Sequence, residues 1–281
     1  MIRHFLIASL ATACVGDDTA QLSTSESSLI TLDSSALTPI PGGTIPTARL
    51  TRSAFTSQSI ARGLIQSGEP MTRVDALGSR TTDDSASWTL ETDGQRGTLL
   101  VLRKHEGGAP VTSDPAMLQR DAIARLNNWG LPSTEFGRVL QRRAAVLDDD
   151  APDSPRLFAH KTFAFRQVLG IPVEEHRAVV THALDGTFQR ALIRWPPLAA
   201  SGHLLHTRLT RVQIERLALA TLARENVTAA AVTLRWRYLA ELTPTGEVKL
   251  RLSVAAHVPS PATEEIGGEP RDIDVDVSPV E

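Results

Sequence analysis

Residues 232–239 read VTLRWRYL, and residues 248–256 read VKLRLSVAA. In both stretches an apolar side chain stands at every second position, and polar or charged side chains fill most positions between them. Successive side chains of a strand point to opposite faces, so this period of two predicts two strands, each with one apolar face. The segment 244–246, Pro-Thr-Gly, predicts the turn between them.

A helix is expected directly before these strands. Thr210 and Gln213 have the spacing of a capping box, which marks a helix start, and Asn226 suits the helix exit. Apolar positions recur between them at helical spacing, at Ile214, Leu217, Ala218, Thr221 and Leu222. A sheet with one apolar face must be covered, and the preceding helix is the available cover. The sequence therefore predicts an α+β fold, in which helices pack on one face of antiparallel sheets.

This helix-plus-strands pattern recurs along the chain, so three consecutive units are expected. Their bounds are 49–108, 109–200 and 201–258. In the first unit, residues 56–67 suit a short helix. Residues 86–92 and 98–104 then alternate between apolar and polar side chains, and the turn-forming pair Asp93 and Gly94 lies between them.

The second unit has clearer boundaries. Asp114 followed by Pro115 suits the start of a helix, and the Gly-Leu-Pro sequence at 130–132 suits its end. The polar segment 148–155 is predicted to be a loop. Three strands are expected at 158–169, 173–183 and 188–195. Asp185–Gly186 joins the last two, which is a strong hairpin signal.

The N-terminus has the character of a targeting signal. Arg3 and His4 precede a short apolar run, Phe5–Leu10, and small residues then lead to Cys14. The run is too short to span a bilayer, which takes about 20 residues. Residues 1–14 resemble the bacterial lipoprotein signal, which implies that Cys14 carries lipid and anchors the protein in the cell envelope, on the outer-membrane or periplasmic side or at the cell surface. The alternative is a secretory signal with an incidental cysteine.

Two segments lack a sustained apolar period. Residues 15–48 are rich in Ser, Thr, Asp, Gly and Pro and are predicted to be a flexible tether. Residues 259–281 are Pro-rich and acidic and are predicted to be an extended tail. The chain of 281 residues has a formal net charge of −3 and one cysteine, so it has no internal disulfide. This charge gives no sign of a nucleic-acid-binding protein.

Residues 165–173 read FRQVLGIPV, and Asp185–Gly186 follows one strand later. Together they resemble the propeptide module of thermolysin-like and fungalysin-like metallopeptidases, over residues 158–195. The residues that carry the match are Gln167, Gly170, Pro172, Asp185 and Gly186. The third unit, 201–258, is similar to the PepSY module that follows in those propeptides. The resemblance implies helix-on-sheet units that assist the folding of a peptidase and inhibit it; each matching residue also has a purely structural interpretation as a turn or edge position.

The peptidase chemistry of that class is missing from this chain. Such an enzyme needs two histidines at i and i+4 with a glutamate beside the first, and His105–Glu106 is followed by Gly107–Gly108 instead. No Gly-x-Ser-x-Gly nucleophile motif and no Gly-rich phosphate loop occur in the sequence. We therefore expect a protein that is not an enzyme.

Two pairs of histidines stand out by their spacing. His203 and His206 lie three apart, which suits a metal pair, but no third ligand is close in sequence and a polar loop is the alternative. His176 and His182 are separated by an even number of positions, which predicts one shared sheet face exposed to solvent. No metal or other cofactor is expected.

The last two predicted strands place four cations on their outward face. These are Arg235, Arg237, Lys249 and Arg251. Like charges on neighbouring strands repel each other unless an anion lies close. The simple interpretation is a solvated polar face. The sharper hypothesis is that the acidic tail lies against this face, and that a partner protein or an anionic envelope polymer competes for it. The acidic tail residues are Glu264, Glu265, Glu269, Asp272, Asp274 and Asp276.

These observations favour a non-catalytic, lipid-anchored envelope protein with a propeptide-like binding domain. The expected partners are the membrane, through the lipid on Cys14, and a peptidase that it inhibits or chaperones, or another envelope protein. The alternative is a structural or surface-scaffold lipoprotein without a peptidase partner. An enzyme of a kind that the sequence does not reveal is a third, more remote hypothesis.

Overall fold

The computed structural model describes residues 30–37, 44–48, 70–94, 96–104, 114–148, 151–196, 198–204, 209–227, 230–242, 248–259 and 271–277. They form fourteen β-strands, two α-helices and one 3-10 helix. The strands are β1 (Ile30–Asp33), β2 (Thr44–Ala48), β3 (Thr72–Leu77), β4 (Arg80–Asp84), β5 (Trp88–Asp93), β6 (Thr98–Arg103), β7 (Phe136–Asp148), β8 (Ala151–Val168), β9 (Ile171–Ala183), β10 (Phe188–Arg194), β11 (Leu198–Leu204), β12 (Ala230–Leu242), β13 (Val248–Val258) and β14 (Arg271–Val275). The helices are α1 (Pro115–Asn128), α2 (Arg211–Arg224) and the 3-10 helix Ser133–Glu135.

The predicted fold class, α+β with helices packed on antiparallel sheets, is wrong. The described residues are predominantly strand, and the strands pair in both directions. Strand β1 runs parallel to the first residues of β12, from Ile30 opposite Ala230 to Asp33 opposite Thr233. Strand β12 also pairs in parallel with β9, where Tyr238 lies opposite Val173. The architecture is therefore a mixed β-structure.

The error has a physical cause, because apolar alternation reveals only strands that bury one face. Strands β3, β4, β7 and β11 have no counterpart among the predicted elements. All six residues of β3 are exposed, so it carries no alternation to detect. Residues 148–155 were expected to be a loop, yet β8 already begins at Ala151. The helix predicted at 56–67 lies outside the described residues.

The chain divides into two compact units. The smaller unit comprises Met1–Ile40, His206–Arg237 and Leu252–Glu281, and the larger unit comprises Pro41–Leu205 and Tyr238–Arg251. This division differs from the three consecutive units expected from the sequence. The ranges expected to be a flexible tether and an extended tail also contain strands, namely β1, β2 and β14.

Antiparallel pairing dominates the larger unit. Strands β9, β10, β6, β5, β4 and β3 are successive antiparallel neighbours, while β8 lies between β7 and β9. Strand β2 pairs with β11 and with the first residues of β13. The hairpin predicted around Asp185–Gly186 is present, and its pairing joins β9 to β10.

Helix α1 contributes to the core of the larger unit. Asp114 caps its start by accepting a hydrogen bond from the Ala116 amide, and Gly130 follows its end with φ +91°. Both ends are as predicted, because cap chemistry is local. Its buried side chains Ala122 and Leu126 join a cluster with strand residues such as Val180 and Ile193.

The smaller unit holds α2 and the two strands β1 and β14. The predicted capping box of Thr210 and Gln213 is formed, and Asn226 has φ +55° just after the helix. Ile214, Ala218 and Leu222 are buried on one face of α2. Strand β14 pairs antiparallel with β13, from Val275 opposite Val254 to Arg271 opposite Val258, and α2 contacts β14.

Candidate functional site

The two arginines of β12 meet two aspartates of β14 in the smaller unit. The Arg235 guanidinium donates a hydrogen bond to Asp272. Arg237 lies 3.4 Å from Asp274 through Nη2, and 4.0 Å from Asp272 through Nη1. Because β13 lies between β12 and β14 in the sheet order, these contacts cross a whole strand, and long arginine side chains can span that width.

The intervening strand β13 adds two polar groups to the same cluster. His257 Nδ1 lies 2.7 Å from Asp272 Oδ1. Ser253 donates a hydrogen bond to Asp274 and lies 3.4 Å from the Val275 carbonyl oxygen. We call these six residues the arginine–aspartate patch: Arg235, Arg237, Ser253, His257, Asp272 and Asp274.

Strand β14 is amphipathic: one of its faces is apolar, and the other presents carboxylates to the arginines of the patch. Ile273 and Val275 are buried, whereas the Asp272 and Asp274 carboxylates face the arginines. Burial acts to raise the pKa of Asp272, but hydrogen bonds from His257 and Arg235 outweigh it, so this pKa lies below its ordinary value. Asp272 is therefore a charged carboxylate held by cationic and polar groups.

The degree of burial separates the two arginines. The Arg237 side chain is only 9% exposed, whereas Arg235 is 45% exposed. A buried guanidinium needs carboxylates close by, since an unpaired buried charge is strongly unfavourable. An exposed pair contributes little to stability, about 0.2–1 kcal/mol. The nearly buried Arg237 therefore requires an acidic segment beside it. The more exposed Arg235 adds an ion pair at the edge of the patch.

The other two predicted cations are Arg251 and Lys249. Arg251 belongs to the larger unit, where it forms an ion pair with Glu241. The Lys249 side chain lies outside the described residues, although its backbone pairs with Thr47 of β2. Of the three arginines, whose side chains the structure describes, Arg235 and Arg237 contact the aspartates of β14 and Arg251 pairs with Glu241.

A second polar cluster, the Arg166 centre, lies inside the larger unit. The Arg166 side chain is 2% exposed, and its Nη2 lies 2.7 Å from Glu135 Oε2. The same carboxylate oxygen accepts a hydrogen bond from Trp195 Nε1 at 2.9 Å, and Arg166 Nη1 donates to the Pro196 carbonyl. The guanidinium also lies over the Trp195 ring, 5.2 Å from its centroid. Burial lowers the pKa of Arg166 to about 10, against the opposing charge of Glu135.

A bulge in β9 lies opposite this arginine. In the β8–β9 ladder, Phe165 lies opposite Arg177 and Gln167 opposite Pro172, so the four residues 173–176 of β9 correspond to the single residue 166 of β8. Glu175, inside the bulge, has φ +62°, a left-handed conformation that non-glycine residues seldom adopt. The bulge therefore adds three residues to β9, and because this number is odd, the buried face changes parity along the strand.

The expectation that His176 and His182 are solvated is wrong for this reason. The bulge turns both inward, and they are 2% and 0% exposed. Burial, with Arg166 and Arg194 nearby, lowers the pKa of His176 to about 3. His182 Nε2 lies 2.8 Å from Asp121 Oδ2, and burial lowers its pKa despite that carboxylate.

The propeptide-like residues occupy turns and close contacts in the larger unit. Leu169 and Gly170 have φ +52° and +79° and form a two-residue β8–β9 turn, which favours glycine at the second position. Gln167 packs so closely against Gly137 that a methyl group added to this glycine would lie 3.1 Å from the Gln167 Oε1 atom. Pro172 is exposed at the start of β9. Gln167, Gly170 and Pro172 therefore have structural positions, at a close packing contact, a turn and a strand start.

Asp185 and Gly186 close the β9–β10 hairpin. The Asp185 carboxylate accepts a hydrogen bond from the Thr187 amide at 2.8 Å, and this bond holds its pKa below the ordinary value. Gly186 has φ +85°, a conformation that glycine adopts at little cost. The pair is therefore a turn element.

The described part of the chain contains no group of three His, Cys, Asp or Glu side chains placed to hold a metal ion. The side chains of His203 and His206 lie outside the described residues, as does Cys14. Across the same residues, no helix combines the length and apolar character needed to cross a lipid bilayer.

Sequence reasoning did not find the Arg166 centre or the Asp121–His182 pair. Glu135 and Arg166 are 31 positions apart, and Asp121 and His182 are 61 apart. Neither pair has a spacing that carries a motif, because each joins a helical residue to a strand residue that is distant in sequence, and only the tertiary fold brings them together.

The comparisons with known proteins give information about the fold only. No family model matches this chain, and no curated protein matches it. Among solved structures, an uncharacterized protein from Eubacterium rectale is similar over 87% of this chain and 86% of its own, with a TM-score of 0.53 and 9% identity. The C-terminal domain of YpeB from Bacillus megaterium covers 79% of this chain and 98% of its own, with a TM-score of 0.36 and 9% identity. The similarity to the Eubacterium rectale protein shows a shared fold. The similarity to the YpeB domain is too low to assign a fold or a function to this chain.

Proposed function

We propose that this protein is a non-catalytic, lipid-anchored binding protein of the cell envelope, which engages another envelope protein through the arginine–aspartate patch. A peptidase is the leading candidate partner, because residues 158–195 resemble a metallopeptidase propeptide module. Cys14 would supply the membrane anchor. The proposal joins a targeting signal at one end of the chain to a charged recognition surface near the other.

The observation that supports this proposal is the seating of β14 on the arginines. Arg237 is nearly buried and is paired by Asp274, so the smaller unit already binds an extended acidic segment of its own chain. Charged groups arranged in this way contribute chiefly to specificity and to the rate of association. A surface that selects carboxylates in a fixed geometry suits protein recognition better than it suits turnover of a substrate.

The anchor can be tested separately from the binding. We expect the wild-type chain to incorporate a fatty-acid analogue during growth of the producing bacterium, and the Cys14→Ser variant to lose all of that label. The readout is in-gel detection of the labelled lipid, with membrane partition of both proteins as a second measurement. Label that persists in Cys14→Ser would remove Cys14 as the anchor.

The binding role is tested with the full chain carrying Cys14→Ser, mixed with purified thermolysin-like peptidases. We expect slow, tight inhibition, with association that slows as salt is raised, because the proposed surface is charged. Arg235→Ala is expected to weaken inhibition by about tenfold or more, whereas Arg73→Ala, which removes an exposed arginine–aspartate pair in the larger unit, serves as the matched control. Absence of inhibition would exclude the peptidases tested and favour a scaffold role.

A further inference from the structure

We propose that β14 occupies a site for a partner's strand, and that the partner of this protein is an extended acidic segment that pairs with β13 in place of β14. This inference rests on the proposed binding function and names the chemistry of its partner. The partner segment would alternate carboxylate and apolar side chains, as residues 272–277 do.

The first element of this site is the backbone of β13. Val254 to Val258 pair with β14 through an antiparallel ladder, and β13 is the one strand with which β14 pairs in the described part of the chain. Main-chain pairing of an added strand supplies affinity that depends little on sequence, whereas side-chain pockets supply specificity. Any extended segment of matching pattern can make the same ladder.

The second element is the apolar surface on which one face of β14 packs. Ile273, Val275 and Val277 are 8%, 0% and 2% exposed, so alternate positions of this segment are buried. Helix α2, whose Ile214 and Leu222 are buried, contacts β14. A replacing strand must therefore offer branched or other apolar side chains at every second position.

The third element is the pattern of charged side chains on the other face of β14. Asp272 and Asp274 stand two residues apart and meet Arg235, Arg237, Ser253 and His257. An uncharged strand would remove the Asp272 and Asp274 carboxylates from the nearly buried Arg237 guanidinium, which is costly. A basic strand would add repulsion. The site is therefore expected to bind acidic strands more tightly than uncharged or basic strands.

Exchange is feasible because β14 is short. It has five residues, whereas β13 has eleven, and Arg235, Asp274 and His257 keep 45%, 36% and 41% of their side-chain surface exposed. Short strands with exposed contacts open at lower free-energy cost than the core. The resident strand acts as a tethered competitor, so the apparent dissociation constant of an added strand falls as β14 is weakened.

The experiment uses the full chain with Cys14→Ser and a fluorescent peptide of the sequence Arg-Asp-Ile-Asp-Val-Asp-Val, the sequence of residues 271–277. Binding is measured by fluorescence anisotropy. We expect the Asp272→Asn/Asp274→Asn chain to bind this peptide at least tenfold more tightly than the Cys14→Ser parent does, because the resident strand is weakened while the receiving site is intact. A peptide with asparagine at all three aspartate positions should bind at least tenfold more weakly to the same chain.

Two controls keep this result interpretable. Asp83→Asn, which removes the carboxylate partner of the exposed Arg73 side chain in the larger unit, should leave peptide affinity unchanged. Proteolysis near residues 271–277 and a thermal melt should show that the double variant is folded with a loosened β14. If β14 is loosened and the peptide still does not bind, the inference is wrong.

The other outcomes are equally decisive. Equal binding of the aspartate and asparagine peptides would contradict acidic selection. A stable dimer that forms only in the double variant would make a second copy the occupant and overturn the heterologous partner. If a peptidase is inhibited equally by the wild type and by Arg235→Ala, the protein binds a peptidase through another surface, and both the role of the patch and strand replacement are wrong. If the peptide exchanges but no envelope protein is bound and Cys14 carries no lipid, the proposed function fails instead.

Discussion

Replacing Glu135 by glutamine is expected to lower the free energy of unfolding of the larger unit by about 3 kcal/mol. The Arg166 guanidinium is 2% exposed, and Glu135 is its carboxylate partner at 2.7 Å. The glutamine keeps the shape and one acceptor oxygen, but it leaves a buried positive charge without a counter-charge. Glu135 is itself 25% exposed, so water can reach part of the site, and we expect the lower end of the range known for broken buried pairs.

Urea denaturation followed by tryptophan fluorescence measures this effect, since Trp195 lies within the Arg166 centre. Glu175→Gln is the matched control, because Glu175 pairs with Arg194 at an exposed site and should change stability by less than about 1 kcal/mol. The double variant Glu135→Gln/Arg166→Met should recover much of the loss, since the buried charge is then gone. Equal losses for Glu135→Gln and Glu175→Gln would refute the view that this pair supports the fold.

Acid is expected to destabilise the protein strongly through His176. In the unfolded chain a histidine binds a proton below about pH 6.5, whereas burial lowers the pKa of folded His176 to about 3. Between those two values the unfolded state binds more protons, so stability is complete above pH 6.5 and is lost as the pH falls toward 3. Lowering the pH from 7.5 to 5 should cost about 2 kcal/mol from this residue alone.

The contribution of His176 is isolated by comparing the wild type with His176→Gln across pH 5 to 8. The glutamine does not titrate, so the difference in unfolding free energy between the two proteins should shrink or reverse as the pH falls. Burial also lowers the pKa of His160 and of His182, so both proteins should retain a common loss in acid. Parallel stability profiles for the two proteins would show that His176 is not buried as the structure places it.

Features that depend on neighbouring residues could be predicted from the sequence. The Asp114 cap, the capping box of Thr210 and Gln213, and the Asp185–Gly186 turn each rest on contacts within four positions. Helix α1 and the β9–β10 hairpin followed from them. Fold class failed because it depends on which strands pair, and the parallel contacts of β12 with β1 and with β9 join residues far apart in the chain.

The candidate site was predictable in part for a similar reason. Opposite charges on the tail and on β12 suggested contact, and the structure places Asp272 and Asp274 against Arg235 and Arg237. The sequence placed Arg251 on the same face from parity alone, and parity does not distinguish positions at opposite ends of a strand. Arg251 pairs instead with Glu241 in the larger unit.

The bulge in β9 has a consequence for comparing this chain with distant relatives. Inward positions fall on Ile171 and Val173 before it, and on His176, Ala178 and Val180 after it. A homologue that lacked the three extra residues would keep its later apolar side chains on the inward face, because three is an odd number, but an ordinary ladder would then lie opposite position 166. Loss of these residues should therefore occur together with a change of the arginine at position 166, which gives a signature for recognising relatives whose overall identity is too low to align.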